Sequence, residues 1–307
     1  MARQIALLTL HGMGETVDNY YETLRNKLFA KLDNTTDKLS FQAVNYQRLL
    51  QPNEQEVWNR MDKGDLRWDD LRRFLLFGFA DAAGLETNKE MDGSVYEGAQ
   101  LDIARKLWAA RREMGGDGPV VVIAQSLGCQ VFSCYVYDAQ REAAGEKRYA
   151  GIWKDIDRFS EQITGSRQPL SPQEKSFLRG STLVGLLTTG CNIPIFVAAH
   201  KRLSIRAIDR PNNQFKWLNL FDRHDALGWP LRPPEGGYES LVEDRQVNVG
   251  EGLLDWLKSF TPMSHTAYWE DDDVIAALAR MIMQGLLHPI TTSPVLPPSG
   301  APAPDPR

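Results

Sequence analysis

A serine at a sharp strand-to-helix turn is the residue of this chain best suited to chemistry. The run Val120-Val121-Val122-Ile123-Ala124-Gln125-Ser126-Leu127-Gly128-Cys129 fits the pattern small-x-Ser-x-Gly, with Ala124 in the first small position. A serine held in strained geometry at such a turn needs small neighbours two residues away on either side, and Ala124 and Gly128 meet that need. The helix expected behind Ser126 aims backbone N–H groups and the positive end of its dipole at any oxyanion formed there. A bare Ala-x-Ser-x-Gly arises often by chance; its weight here comes from lying between a β-branched strand and a helix. A second motif, His11-Gly12-Met13-Gly14, has glycines that let the backbone approach a ligand closely. The Met13 N–H and the Leu127 N–H are the two expected donors to a tetrahedral intermediate. Gly12, Gly14 and Gln125 are read as supporting residues, and His11 as holding the loop rather than moving protons.

These residues need rigid elements behind them. Ile5 to Leu10 and Val120 to Ile123 are continuous apolar runs stopped by small residues, the signature of strands buried on both faces of a parallel sheet. Phe41–Tyr46, Thr182–Leu187, Phe215–Phe221 and Gln246–Val249 are further expected strands. Helical spacing of apolar residues marks 15–32, 54–85, a segment opening at Ser94, 128–140 and a last helix from about Asp271 to Leu287. Ser94 with Glu97, and Ser171 with Glu174, read as capping boxes. Strands alternating with helices imply an α/β fold: a mostly parallel central sheet with helices on both faces. Residues 1–288 read as one domain, in which 141–178 is an expected helical cap insertion. Residues 289–307 hold seven of the seventeen prolines and read as a disordered tail.

With both motifs in place, the chain resembles the α/β-hydrolase family, in its lipase and esterase branch, over about residues 4–287. The resemblance rests on the His-Gly loop after an early strand and the Ala-x-Ser-x-Gly turn in mid-chain. It implies an acid and then a histidine further along. Asp222 and Asp225 follow the Phe215–Phe221 strand; Asp225, before Ala226-Leu227-Gly228, is preferred as the acid, with Asp222 as the alternative. Of the five histidines only His265 and His288 lie beyond the acid. His265, in the loop before the final helix, is the expected base, and His288 reads as a cation at that helix's end. The implied chemistry is cleavage of a carboxylic ester through an acyl-enzyme on Ser126, with His265 and Asp225 completing the triad. Thioesterase or acyltransferase activity is the alternative on the same fold, and a non-catalytic ligand- or partner-binding protein is the other. Segments 74–85 and 183–197, with the insertion, are candidate walls of a substrate site.

Composition narrows the remainder. The chain has 307 residues, with 35 Lys and Arg against 40 Asp and Glu for a net charge of −5, so it lacks the basic field that nucleic-acid binding needs. Three cysteines, Cys129, Cys134 and Cys191, are too few for a disulfide scaffold and point to a cytoplasmic setting. Apolar runs are too short or too interrupted for a membrane span. No metal-ligand spacing such as H-E-x-x-H or C-x-x-C occurs, so no metal or cofactor is expected, and the expected partner is a small acyl ester.

Overall fold

The computed structural model describes residues 2–14, 16–61, 67–201, 203–249 and 267–288. In chain order the elements are β1 (Ile5–Leu10), α1 (Glu22–Leu32), β2 (Leu39–Val44), α2 (Gln51–Met61), α3 (Asp69–Glu86), α4 (Val95–Met114), β3 (Val120–Gln125) and α5 (Leu127–Ala143). Then come α6 (Ser160–Thr164), α7 (Pro172–Leu178), β4 (Leu183–Thr189), α8 (Ile193–Ala198), β5 (Lys216–Phe221), α9 (Tyr238–Leu241), β6 (Val242–Gln246) and α10 (Asp272–Leu287). Among the described residues no helix is long and apolar enough to cross a membrane.

The six strands form one all-parallel sheet in the order β2-β1-β3-β4-β5-β6. Side chains alternate across a strand, so a strand buried on both faces feeds two cores. Ala6, Leu8, Leu10, Val120 and Val122 pack with α4 and α5 on one face. Ile5, Leu7, Val121 and Ile123 pack with α1 and α10 on the other. The chain steps outward from β1 to β2, then returns to place β3 on the opposite side of β1. The crevice beyond the carboxyl ends of β1 and β3 is therefore the topological switch point, where open parallel sheets bind ligands.

Several expectations are corrected. The first helix begins only at Glu22. The sixth strand is Val242–Gln246, not Gln246–Val249; Glu243, Asp244 and Arg245 hid it, because an edge strand tolerates charge along its open side. The box at α7 is complete, with the Ser171 side chain and Glu174 exchanging backbone bonds. At α4 only half forms: Ser94 accepts from the Glu97 N–H, but the Glu97 carboxylate takes the Gly93 N–H instead. Segment 141–178 contains α6 and α7, and hydrogen bonds tie it to α4 and α5. Tyr135 Oη donates to the Leu178 carbonyl at 2.8 Å, and Arg105 Nε to that of Gln162 at 3.0 Å. The segment leads through Gly180 to the amino end of β4, the edge opposite Ser126. Residues 289–307 lie outside the described residues.

Candidate active site

Ser126 sits between the last residue of β3 and the first of α5 with φ 50° and ψ −119°. A non-glycine residue with positive φ is strained by on the order of 1–3 kcal/mol and persists only where its surroundings over-determine it. Here they do. The Ser126 N–H donates to the Thr189 carbonyl at 3.0 Å, and its own carbonyl accepts from the Cys129 N–H at 3.0 Å. A Cβ on Gly128 would lie 2.5 Å from the His11 carbonyl oxygen and 2.8 Å from that of Leu10. A Cβ on Gly12 would lie 2.9 Å from Ser126 Cβ. Both positions must lack a side chain for the loop after β1 to lie against the serine. The hydroxyl is buried and, among the described residues, has no hydrogen-bond partner. Cys129 is no rival nucleophile: burial, then the neighbouring Cys191, pushes its thiol well above the usual value.

As the first residue of α5, Leu127 carries an amide that no helical carbonyl can take. The loop after β1 is held from outside. Tyr46 Oη donates to the His11 carbonyl at 2.9 Å, and Gln47 Nε2 to the Gly12 carbonyl at 2.9 Å. His11 Nδ1 lies 2.9 Å from the same oxygen; a carbonyl only accepts, so this nitrogen carries the proton. The His11 ring stacks on Tyr46 at 4.4 Å and meets Tyr20 edge-on at 4.8 Å. Burial lowers its pKa to about 4, so it is neutral near pH 7. With the trans Gly12–Met13 peptide's oxygen fixed on Gln47 and His11, the Met13 N–H points the opposite way, away from Gln47.

Of the candidate walls, α3 is the one that reaches this loop. Gly78 lies against the Met13 side chain and Phe74 against Gly14, while the Gly14 N–H donates to Asp81 Oδ2 at 3.0 Å. Phe77 and Leu85 of α3 are buried, whereas Leu75 and Phe79 are exposed. β4 is wholly core.

Asp222 and Asp225 occupy the loop at the carboxyl end of β5. The sheet places them two strands from Ser126, ~10 Å at ordinary strand spacing. Asp222 is committed to backbone: Oδ1 accepts from the His224 N–H at 2.8 Å and Oδ2 from the Val249 N–H at 2.7 Å. Asp225 accepts from the Leu227 N–H at 2.9 Å on Oδ1 and from Tyr268 Oη at 3.0 Å on Oδ2. The same tyrosine oxygen accepts from the Asp222 N–H at 2.9 Å. Burial, then the Asp225 charge, pushes the phenol far above its usual value, so it stays a donor. Beneath the loop runs a buried chain. Trp217 Nε1 donates to Thr188 Oγ1 and Thr188 Oγ1 to Asn219 Oδ1, while Asn219 Nδ2 reaches Asp244 and the Trp229 carbonyl. His265 lies outside the described residues; His288 ends α10.

Sequence reasoning missed Tyr268, Gln47, Asp81 and Asn219. Tyr268 stands three residues beyond His265, so the neighbourhood was visible although the contact was not. Compared with the known protein families the chain matches none, and a comparison with curated proteins found no match either.

Proposed function

We propose that this chain is a serine hydrolase of the α/β-hydrolase kind that cleaves a carboxylic ester through an acyl-enzyme on Ser126. The observation that carries the reading is the backbone of Ser126: a strained serine at the switch point, between the Gly12–Met13 peptide and the first amide of a 17-residue helix. Strain held on a buried serine at this place has a use if that serine attacks.

In this reading Ser126 Oγ attacks the acyl carbon while His265 takes its proton. The Leu127 and Met13 N–H groups receive the developing oxyanion. Collapse of the tetrahedral intermediate expels the alcohol, which leaves with the proton from His265. Water then repeats the sequence on the acyl-enzyme and frees the acid. Asp225, with one oxygen on the Tyr268 hydroxyl, fixes the imidazole tautomer and stabilises the imidazolium. Asp222, with both oxygens on backbone amides, holds the loop instead.

A fluorophosphonate probe tests the reading, because it phosphonylates an activated serine. The wild type is expected to label at one site and Ser126→Ala not at all, with kcat on chromogenic esters falling on the order of 10⁶-fold. Equal labelling of the two proteins removes Ser126 from the role.

A further inference from the structure

Behind the Gly12–Met13 peptide lies a buried polar group that the mechanism leaves unused. Asp81 of α3 and Glu54 of α2 are 1% and 5% exposed, and they lie close enough for their carboxyls to interact. Asp81 Oδ2 accepts from the Gly14 N–H at 3.0 Å and from Gln47 Nε2 at 2.6 Å. The same Gln47 nitrogen donates to the Gly12 carbonyl. The carboxylate thus fixes the loop after β1 at two points, on either side of Met13. Each acid also has a buried oxygen, Asp81 Oδ1 and Glu54 Oε1, with no hydrogen-bond partner among the described residues. A buried carboxylate oxygen without a donor is costly, and a single proton shared between the two carboxyls supplies one to both.

We propose that Asp81, acting through Gln47 and the Gly14 amide, is a positioning residue for the Met13 N–H, and that it holds the loop only while the Glu54–Asp81 pair keeps one proton. The inference rests on Ser126 being the nucleophile. Burial raises both carboxyls above the usual range, Glu54 further because of the Asp81 charge. The groups facing the pair are the Gly14 amide, Gln47 and the Tyr46 phenol. Burial, then the Asp81 charge, keeps that phenol protonated. Arg73 of α3 is turned to Gln55 and to the Trp58 and Phe77 rings. Loss of the shared proton on the alkaline side places two negative charges together behind the loop. Their repulsion disturbs the hydrogen bonds that aim the Met13 amide.

The test measures phosphonylation of Ser126 and hydrolysis of p-nitrophenyl acetate from about pH 6 to about pH 10, in wild type, Glu54→Gln and Asp81→Asn. Glutamine imitates the protonated acid and cannot ionise. The wild type's ratio of alkaline to neutral rate is expected to fall several-fold, and that of Glu54→Gln to stay level. Asp81→Asn is expected to lower kcat by about 10–100-fold with KM within about threefold, less than the loss of a whole oxyanion donor. A Glu54→Gln profile that keeps the wild-type alkaline fall overturns the proposal, as does a folded Asp81→Asn with wild-type kcat. If Asp81→Asn does not fold, the Glu54→Gln profile decides. A folded wild type that reacts with neither probe removes the nucleophile and this inference together; a reactive wild type matched by its variants removes this inference alone.

Discussion

The two aspartates after β5 differ in what their carboxylates hold, and the proposed triad draws on that difference. Asp222 joins two stretches of backbone, to His224 and Val249, while Asp225 shares an oxygen with the Tyr268 hydroxyl. Asp225→Asn is therefore expected to cost kcat about 10⁴-fold with little change in melting, since an amide favours the wrong imidazole tautomer. Asp222→Asn is expected to lose on the order of 1–2 kcal/mol of stability and to keep kcat within about tenfold. Steady-state kinetics beside urea unfolding checks both, and a larger kcat loss in Asp222→Asn reverses the assignment. At this scale the sequence was informative wherever chemistry fixes local spacing. Ala124, Ser126 and Gly128 stand two apart because a tight turn requires it, and Gly12 stands where a side chain would strike the serine. Tyr268, Gln47 and Asp81 carry no such spacing. Their partners lie 34 to 67 residues away, and a buried hydrogen bond between distant elements leaves no periodic mark.

The elements act as clamps on two loops. One loop, after β1, is gripped by the turn that follows β2 and by α3; the other, after β5, is gripped by the neighbouring strands through Asn219. Asp244 accepts the Leu231 and Arg232 amides as well as Asn219 Nδ2, so a single edge-strand carboxylate gathers the far end of the loop after β5. Asn219→Ala strands Thr188 and Asp244 with unmet partners. It is expected to cost about 2 kcal/mol and to raise amide exchange across 222–231 while β1 and β3 stay protected. Exchange unchanged in that loop would show that Asn219 does not hold it. Strands and long helices were legible here because burial on both faces or on one stripe writes a clear pattern. β6 was not, since an edge strand needs few apolar residues.

For the molecule as a whole, buried titratable groups shape stability on both sides of neutrality. His11 has its pKa lowered from 6.5 to about 4 by burial. A base depressed in the folded state contributes stability that is present above its unfolded pKa and lost as pH falls toward the folded one. The loss is about 3 kcal/mol between about pH 6.5 and about pH 4. Glu54 and Asp81, raised by burial, act in the opposite sense and weaken the fold as pH rises. Urea midpoints at about pH 7 and about pH 4.5 are expected to drop more in the wild type than in His11→Gln; equal drops would remove His11 from acid sensitivity. The order of the elements has a consequence for biosynthesis. Ile5 and Leu7 of the first strand are buried by Val274, Leu278 and Ile282 of α10, together with Val121 and Ile123. A ribosome releases the amino end first, so α1 can cover its share of this face early, while the share that α10 covers stays bare until α10 has been made. The Tyr268 hydroxyl that ties down the loop after β5 arrives equally late. This face of the sheet is therefore completed only after translation has passed the final described helix.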